Sequence, residues 1–139
     1  MKTSIDAERQ VLGGILLDST VLRQVNMTGL SDKDFSMTNL GLLFKYMREM
    51  QEEEEHIDPL HLRNWIDIGG DHSGEWTSFP YLCTMMEECV GVANIATYAN
   101  HIRNTRINND IENLKVKIDY DNYQTTVTNI QNLEMQLAD

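Results

Sequence analysis

The sequence has little of several features that would define a class of protein. Its two cysteines, Cys83 and Cys89, are too few for a disulfide framework and predict reduced, buried thiols in a cytoplasmic protein. It has no long apolar run and no basic-apolar-small leader, so neither membrane insertion nor export is expected. It also lacks a Gly-x-x-x-x-Gly-Lys-Ser/Thr phosphate loop and any nucleophile-base arrangement. We therefore expect no catalytic residues and no cofactor in this chain.

Basic residues are scarce as well. The sequence has 11 Lys and Arg against 22 Asp and Glu, which gives a formal net charge of -11. Because an acidic chain repels phosphates, we expect no direct, tight binding of nucleic acid. A basic protein partner is compatible with this charge, and so is an acidic surface that only keeps the protein soluble. The length of 139 residues is enough for one domain with a true core and an appended element.

What the sequence does have is helical periodicity along nearly its whole length. One segment places its apolar residues three and four positions apart, at Leu40, Leu43, Phe44, Met47 and Met50. Residues that commonly cap helices precede the apolar segments, at Asp18, Asn39, Asp58, Ser78 and Asn94. No alternating strand pattern lasts more than a few residues. The sequence predicts an all-α fold, with a compact helical bundle over residues 1–103.

The remaining segment, residues 104–139, differs from the bundle because its apolar residues thin to two narrow stripes. The stripes are Ile107, Ile111, Leu114 and Ile118, and then Val127, Ile130, Leu133 and Leu137. The polar run from Asp119 to Asn122 separates them. We interpret this pattern as an antiparallel helical hairpin, since two amphipathic helices joined by a short polar turn form one. A lone hairpin leaves too much apolar surface in water, so we expect it to mediate self-association into at least a dimer.

Two polar features are candidate partner-binding sites. Tyr120 and Tyr123 place amphipathic rings at the predicted hairpin tip, where they are suited to anchor an interface or only to pack the turn. An acidic run ends one of the helices: Glu52, Glu53, Glu54 and Glu55. Such a run speeds encounter with a basic partner, although most runs of this kind are solvated linkers.

A metal site is not expected. His56 and His61 flank Asp58, but their five-residue spacing crosses a loop–helix junction and no third histidine or cysteine is near them in the sequence. Cys83 and Cys89 are six residues apart, which places them on different faces of a helix. We interpret the histidines as surface residues.

One further feature is a pair of glycines inside the first helical segment. Gly13 and Gly14 each cost a helix interior about 1 kcal/mol relative to alanine. The apolar face nevertheless continues past them to Ile15 and Leu16. Either the helix ends at the glycines, or another part of the chain approaches the backbone too closely for side chains to fit.

Four segments resemble, in the same order, the N-terminal domain of DnaB-type replicative DNA helicases. The first is SIDAERQVLGGILLD, residues 4–18. The others are Phe35 with Phe44; Ile57-Asp58 with Leu62; and Tyr81-Leu82 with Ala93-Asn94-Ile95, Tyr98-Ala99 and Arg103. The resemblance covers about Ser4 to Arg106. It implies that the first helix continues through both glycines, which then permit close helix packing.

The resemblance also implies a function in DNA replication, in the cytoplasm of a bacterium or a phage-infected cell. As the N-terminal piece of a helicase, the chain would pair subunits into the collar of a hexameric ring and dock primase. If Asp139 is the natural end, it would be a free-standing phage or mobile-element protein that binds a host helicase or primase. An all-α adaptor unrelated to replication is a third interpretation.

Overall fold

The structure is a computed structural model that describes residues 3–69 and 74–138, and within them it contains helices and no strand. The helices are α1 (Ile5–Leu17), α2 (Leu22–Met27), α3 (Thr38–Glu52), α4 (Pro59–Ile68), α5 (Phe79–Glu87) and α6 (Ile95–Ala138). Short 3₁₀ turns precede α2, α3 and α5. The prediction of an all-α fold is confirmed.

The chain divides into two compact units, Met1–Arg106 and Ile107–Asp139. The first contains helices α1 to α5 and the start of α6, and it holds the hydrophobic core. Side chains that are fully buried at the centre of this core include Leu12, Ile15, Leu22, Leu43, Phe44, Met47, Leu62, Ile66, Leu82 and Met85. These residues fall on one face of each helix, as the three- and four-residue spacing predicts.

Helix α1 continues through both glycines and packs on α5. A Cβ atom added to Gly13 would overlap the carbonyl oxygen of Met85, and one added to Gly14 would lie 2.9 Å from Cδ1 of Ile95. Since the first obstacle is backbone, a side chain at Gly13 would force the two helices apart. The glycines therefore serve close helix approach and do not end the helix.

Most of the predicted helix starts are confirmed. The Asp58 carboxylate accepts a hydrogen bond from the backbone N–H of His61, and the Ser78 hydroxyl accepts one from the N–H of Tyr81. Asp18 accepts from the N–H of Thr20 in the turn before α2. The predicted cap at Asn39 is wrong, since α3 begins at Thr38.

A buried carboxylate ties the start of α1 to the start of α3. Glu8 is fully buried, and its Oε2 accepts hydrogen bonds from the hydroxyls of Ser4 at 2.7 Å and Ser36 at 2.6 Å. Its Oε1 accepts from the backbone N–H of Met37 at 3.3 Å, just ahead of α3. Buried charges persist where hydrogen bonds compensate their lost hydration. Sequence periodicity did not reveal this residue, because a glutamate near a helix start is typically exposed.

We expect Glu8→Ala to reduce the free energy of unfolding by about 2 kcal/mol, because it leaves the buried Ser4 hydroxyl without its acceptor and opens a small cavity. Urea unfolding followed by circular dichroism measures the loss. The matched control is Glu53→Ala, an exposed carboxylate whose removal should change stability by no more than about 0.5 kcal/mol. Equal stability of the two variants would contradict a structural role for Glu8.

The start of α6 belongs to the first unit. Ile95, Ala99 and Ile102 are fully buried in its core. Nη1 of Arg106 donates to Oδ1 of Asp34 at 2.8 Å, and the Asp34 side chain is only 5% exposed. One helical face and one partly buried ion pair thus hold this end of the helix in place.

The prediction of a C-terminal hairpin is wrong for this structure. Helix α6 runs without interruption for 44 residues, from Ile95 to Ala138. The polar run from Asp119 to Asn122 contains no glycine or proline, and its residues cost a helix only about 0.5–0.7 kcal/mol each. Hydroxyls of Thr125 and Thr126 donate back to the carbonyls four residues earlier, at 3.0 Å each, as they do within a continuous helix. This polar run, which has no breaker, therefore does not end α6.

Candidate interaction surfaces

The residues predicted to mediate self-association lie on the part of α6 that forms the second unit. The first stripe, Ile107 to Ile118, is 39–58% exposed at its four apolar positions. In the second stripe, Ile130 and Leu133 are 50% and 59% exposed and Val127 is half-buried. The side chain of Leu137 lies outside the described residues. The apolar stripes are thus on the surface of the chain.

The two stripes occupy different faces of the continuous helix. With about 3.6 residues per turn, positions 107, 111, 114 and 118 share one side, whereas 127 and 130 point well away from it and 133 lies between the two directions. A break between them would let both stripes face each other in a hairpin. In the continuous helix the two stripes face different directions.

The two candidate tyrosines are brought together, but in the middle of a helix and not at a turn. Tyr120 and Tyr123 are three residues apart on α6, which makes them neighbours on its surface. They are 62% and 64% exposed. Both rings are therefore accessible at the surface. The alternative prediction, that they only pack a tight turn, is wrong in this structure because the helix has no turn there.

The acidic run forms the C-terminal end of α3. The N–H of Glu55 donates to the carbonyl of Met50 at 2.8 Å, and the N–H of Glu54 donates to the carbonyl of Gln51 at 3.1 Å. This pair of bonds is the Schellman pattern, which needs a left-handed residue after the last helical turn. Glu54 supplies it with φ of 57°, in a position that glycine usually occupies.

The acidic run is unfavourable for the stability of α3 in two ways. A glutamate in the left-handed region is strained relative to glycine. Four negative side chains also lie at the end of a helix where the macrodipole favours positive charge. All four side chains are exposed. Replacing these charges should therefore raise stability, and any loss of binding on their removal will not reflect unfolding.

Sequence reasoning missed an ion pair between α1 and the end of α5. Nε and Nη2 of Arg9 donate to Oε2 of Glu88 at 3.1 and 2.7 Å, and Nη1 donates to the Tyr81 hydroxyl at 3.0 Å. The hydrogen bond to Glu88 raises the pKa of Arg9 above its ordinary value against the opposing effect of burial. The partners are 72 and 79 residues apart in the sequence, so no local signal reveals them.

The remaining candidate side chains differ from the sequence expectation. Cys83 and Cys89 are free thiols, but they are half-buried and not buried. His56, Asp58 and His61 lie together at the junction before α4, with their ligand atoms within 4.8 Å of one another.

Within residues 3–69 and 74–138, none of the helices is long and apolar enough to cross a membrane.

Comparison with known proteins gives a consistent result. A family model described as the DnaB-like helicase N terminal domain matches residues 1–104. The replicative DNA helicase DnaB of Buchnera aphidicola is 28% identical over 105 residues, which are 74% of this chain and 22% of the helicase. The replicative DNA helicase DnaB of Pasteurella multocida is 27% identical over 115 residues, 78% of this chain and 23% of that protein. The chain thus spans about a fifth of the length of these curated relatives.

Solved structures share the fold. The N-terminal domain of DnaB helicase from Mycobacterium tuberculosis aligns with a TM-score of 0.76 and 21% identity, over 87% of this chain and 86% of that one. The N-terminal domain of DnaB helicase from Helicobacter pylori, described together with its interactions with primase, aligns with a TM-score of 0.67 and 24% identity, over 84% and 89%. Since the family model covers well over half of the sequence, this chain belongs to the DnaB-like helicase N-terminal domain family.

Proposed function

We propose that this chain is a scaffolding and protein-interaction domain of a replicative helicase. Its second unit pairs it with other copies in a subunit collar, and its helical surfaces dock primase. It does this work in the cytoplasm, where replication takes place in bacteria. The chemistry of unwinding is not carried by these residues, because the sequence holds no phosphate loop.

One observation carries the proposal: the second unit exposes two stripes of large apolar side chains on one helix. Contiguous exposed apolar surface of this kind marks protein interaction sites in proteins that remain in solution. A second copy fits because its own stripes offer the same apolar chemistry, and closed symmetric pairs are the commonest assemblies.

Support for primase as a partner comes from the related domain. The Helicobacter pylori domain shares this fold and is described with primase interactions. In this chain the adjacent rings of Tyr120 and Tyr123 and the acidic run from Glu52 to Glu55 are the surfaces suited to such docking. Aromatic anchors contribute chiefly to the lifetime of a complex, whereas peripheral charges contribute chiefly to the rate of encounter.

These two surfaces give separable results in surface plasmon resonance against a cognate primase. We expect Tyr120→Ala to raise the off-rate about tenfold with little change in the on-rate. Replacing Glu52, Glu53, Glu54 and Glu55 by Gln should lower the on-rate and flatten its dependence on salt. The same charge change should raise the melting temperature, because it removes the unfavourable interaction of these carboxylates with the C-terminal end of the helix macrodipole.

Two controls accompany this test: Asn122→Ala beside the tyrosines, and Glu87→Gln, which removes an exposed carboxylate outside the acidic run. Neither should alter the kinetics. A cognate helicase on a second sensor surface tests the free-standing phage or mobile-element alternative. Failure of the intact chain to bind primase would refute the docking function and leave only the scaffolding function. That this chain does not bind DNA directly and tightly stays a prediction.

A further inference from the structure

Three side chains with metal-binding chemistry converge at the junction between α3 and α4. Nδ1 of His61 lies 2.8 Å from Oδ1 of Asp58, and Nε2 of His56 lies 3.1 Å from Oδ2 of the same carboxylate. The two imidazole rings meet edge to face, with centroids 5.2 Å apart and an interplanar angle of 87°. One carboxylate thus holds two imidazoles by their nitrogen atoms.

The local fold fixes the central ligand. Asp58 is the N-cap of α4 in extended conformation, and its Oδ1 accepts the backbone N–H of His61 at 2.7 Å. Pro59, which follows directly, begins the helix with a preset φ angle. His61 therefore projects from the first turn back over the capping carboxylate. Sequence spacing did not predict this, because the distance from His56 to His61 depends on how the chain enters the helix.

The distances suit a small divalent cation. Bonds of about 2.0–2.1 Å to nitrogen and oxygen in a tetrahedral site place neighbouring ligand atoms roughly 3.3 Å apart. The three ligand atoms here all lie within 4.8 Å of one another, so rotation of exposed side chains is enough to close on an ion. Two imidazoles and a carboxylate form a ligand set typical of zinc and of nickel or cobalt, and not of calcium or magnesium.

The surroundings also favour a cation. Side-chain exposures of 65% for His56, 48% for His61 and 31% for Asp58 leave access for an ion and for a water molecule in a fourth position. The acidic residues Glu53 to Glu55 come immediately before His56 in the sequence, and the whole chain is acidic. The helix cap already orients Asp58, and hydrogen bonds that orient a ligand increase metal affinity.

We propose that His56, Asp58 and His61 form a three-ligand site for a divalent transition metal of the zinc class. The ion replaces the hydrogen bonds between the carboxylate and the two imidazoles and cross-links the segment before α4 to its first turn. Binding to the folded state alone then stabilises this junction by mass action. The proposal is independent of the proposed function.

The test is calorimetric titration of the untagged chain with zinc in a buffer that does not bind metals. We expect one ion per chain, and we expect His56→Ala, His61→Ala or Asp58→Asn each to weaken binding about tenfold or more. Asp58→Asn retains the helix cap, since asparagine caps as well as aspartate, so its fold serves as an internal check. His101→Ala removes an exposed histidine of α6 and should leave zinc binding unchanged.

A second measurement assigns the ligands. Ring-nitrogen chemical shifts in ¹⁵N-histidine spectra should move for His56 and His61 upon zinc addition, and not for His101. Cys83→Ser with Cys89→Ser should retain binding. The proposal is overturned if zinc does not bind at micromolar concentrations, if binding survives both His56→Ala and His61→Ala, or if it is lost with the cysteines.

Discussion

Gly13→Ala should lower the free energy of unfolding by about 2 kcal/mol, although alanine is the better helix former. The substitution gains about 1 kcal/mol in helix propensity. It also places a Cβ atom against the Met85 carbonyl oxygen, and this backbone atom cannot move without shifting α5. Overpacking of this kind costs about 1–3 kcal/mol and more where backbone must yield. In a domain of this size the melting temperature should fall by roughly 10 °C.

The matched control is Gly69→Ala at the end of α4. Gly69 has φ of -72° and ψ of -7°, which alanine adopts freely, and the nearest atoms to its added Cβ are 3.6 Å away. Alanine there should be neutral or should stabilise the fold by up to about 1 kcal/mol. Thermal unfolding by circular dichroism compares the two variants. If Gly13→Ala were as stable as Gly69→Ala, the close approach of α1 and α5 would be wrong.

Ile111→Asp and Ile130→Asp should each dissociate the assembly that we propose. A carboxylate on either stripe would have to be buried against an apolar neighbour, and burying an unpaired charge costs several kcal/mol. Both side chains are about half exposed in the single chain, so the fold of the first unit should tolerate the changes. The expected result is a fall in molar mass to that of one chain, with unchanged unfolding of the first unit.

Two aspartate substitutions on the same helix serve as controls. Asn113→Asp and Asn132→Asp add the same charge at exposed positions, each on a side of the helix that faces away from the stripe nearest to it along the chain. Their molar mass should equal that of the unmodified chain. Dissociation by the controls as well would indicate a general effect of charge on α6 and would contradict an interface at the stripes.

The predictable parts of the fold were those that depend on local chemistry. Apolar spacing located the core faces, and the short polar side chains of Asp58 and Ser78 marked the helix starts because capping involves residues only three positions apart. The glycines posed a question that spacing left open. The family resemblance predicted that the helix continues through both glycines. The physical reason is the position of the Met85 carbonyl, 72 residues away, and the structure shows it.

The parts that could not be predicted depend on long-range contacts or on small energy differences. The run from Asp119 to Asn122 is a poor helix segment but not a breaker, so sequence alone does not decide between a continuous helix and a hairpin. The burial of Glu8 depends on Ser36 and Met37, which lie 28 and 29 residues further along the chain. The histidine cluster depends on the path of the chain into α4.

The central claim is that the second unit pairs this chain with another copy, and the molar mass in solution tests it most directly. Multi-angle light scattering coupled to size exclusion should be run on the unmodified chain over a range of micromolar concentrations. One chain has a mass of 16.0 kDa. The account predicts a mass of at least two chains that falls towards one chain on dilution. A mass of a single chain at every concentration, unchanged in Ile111→Asp and Ile130→Asp, would contradict it.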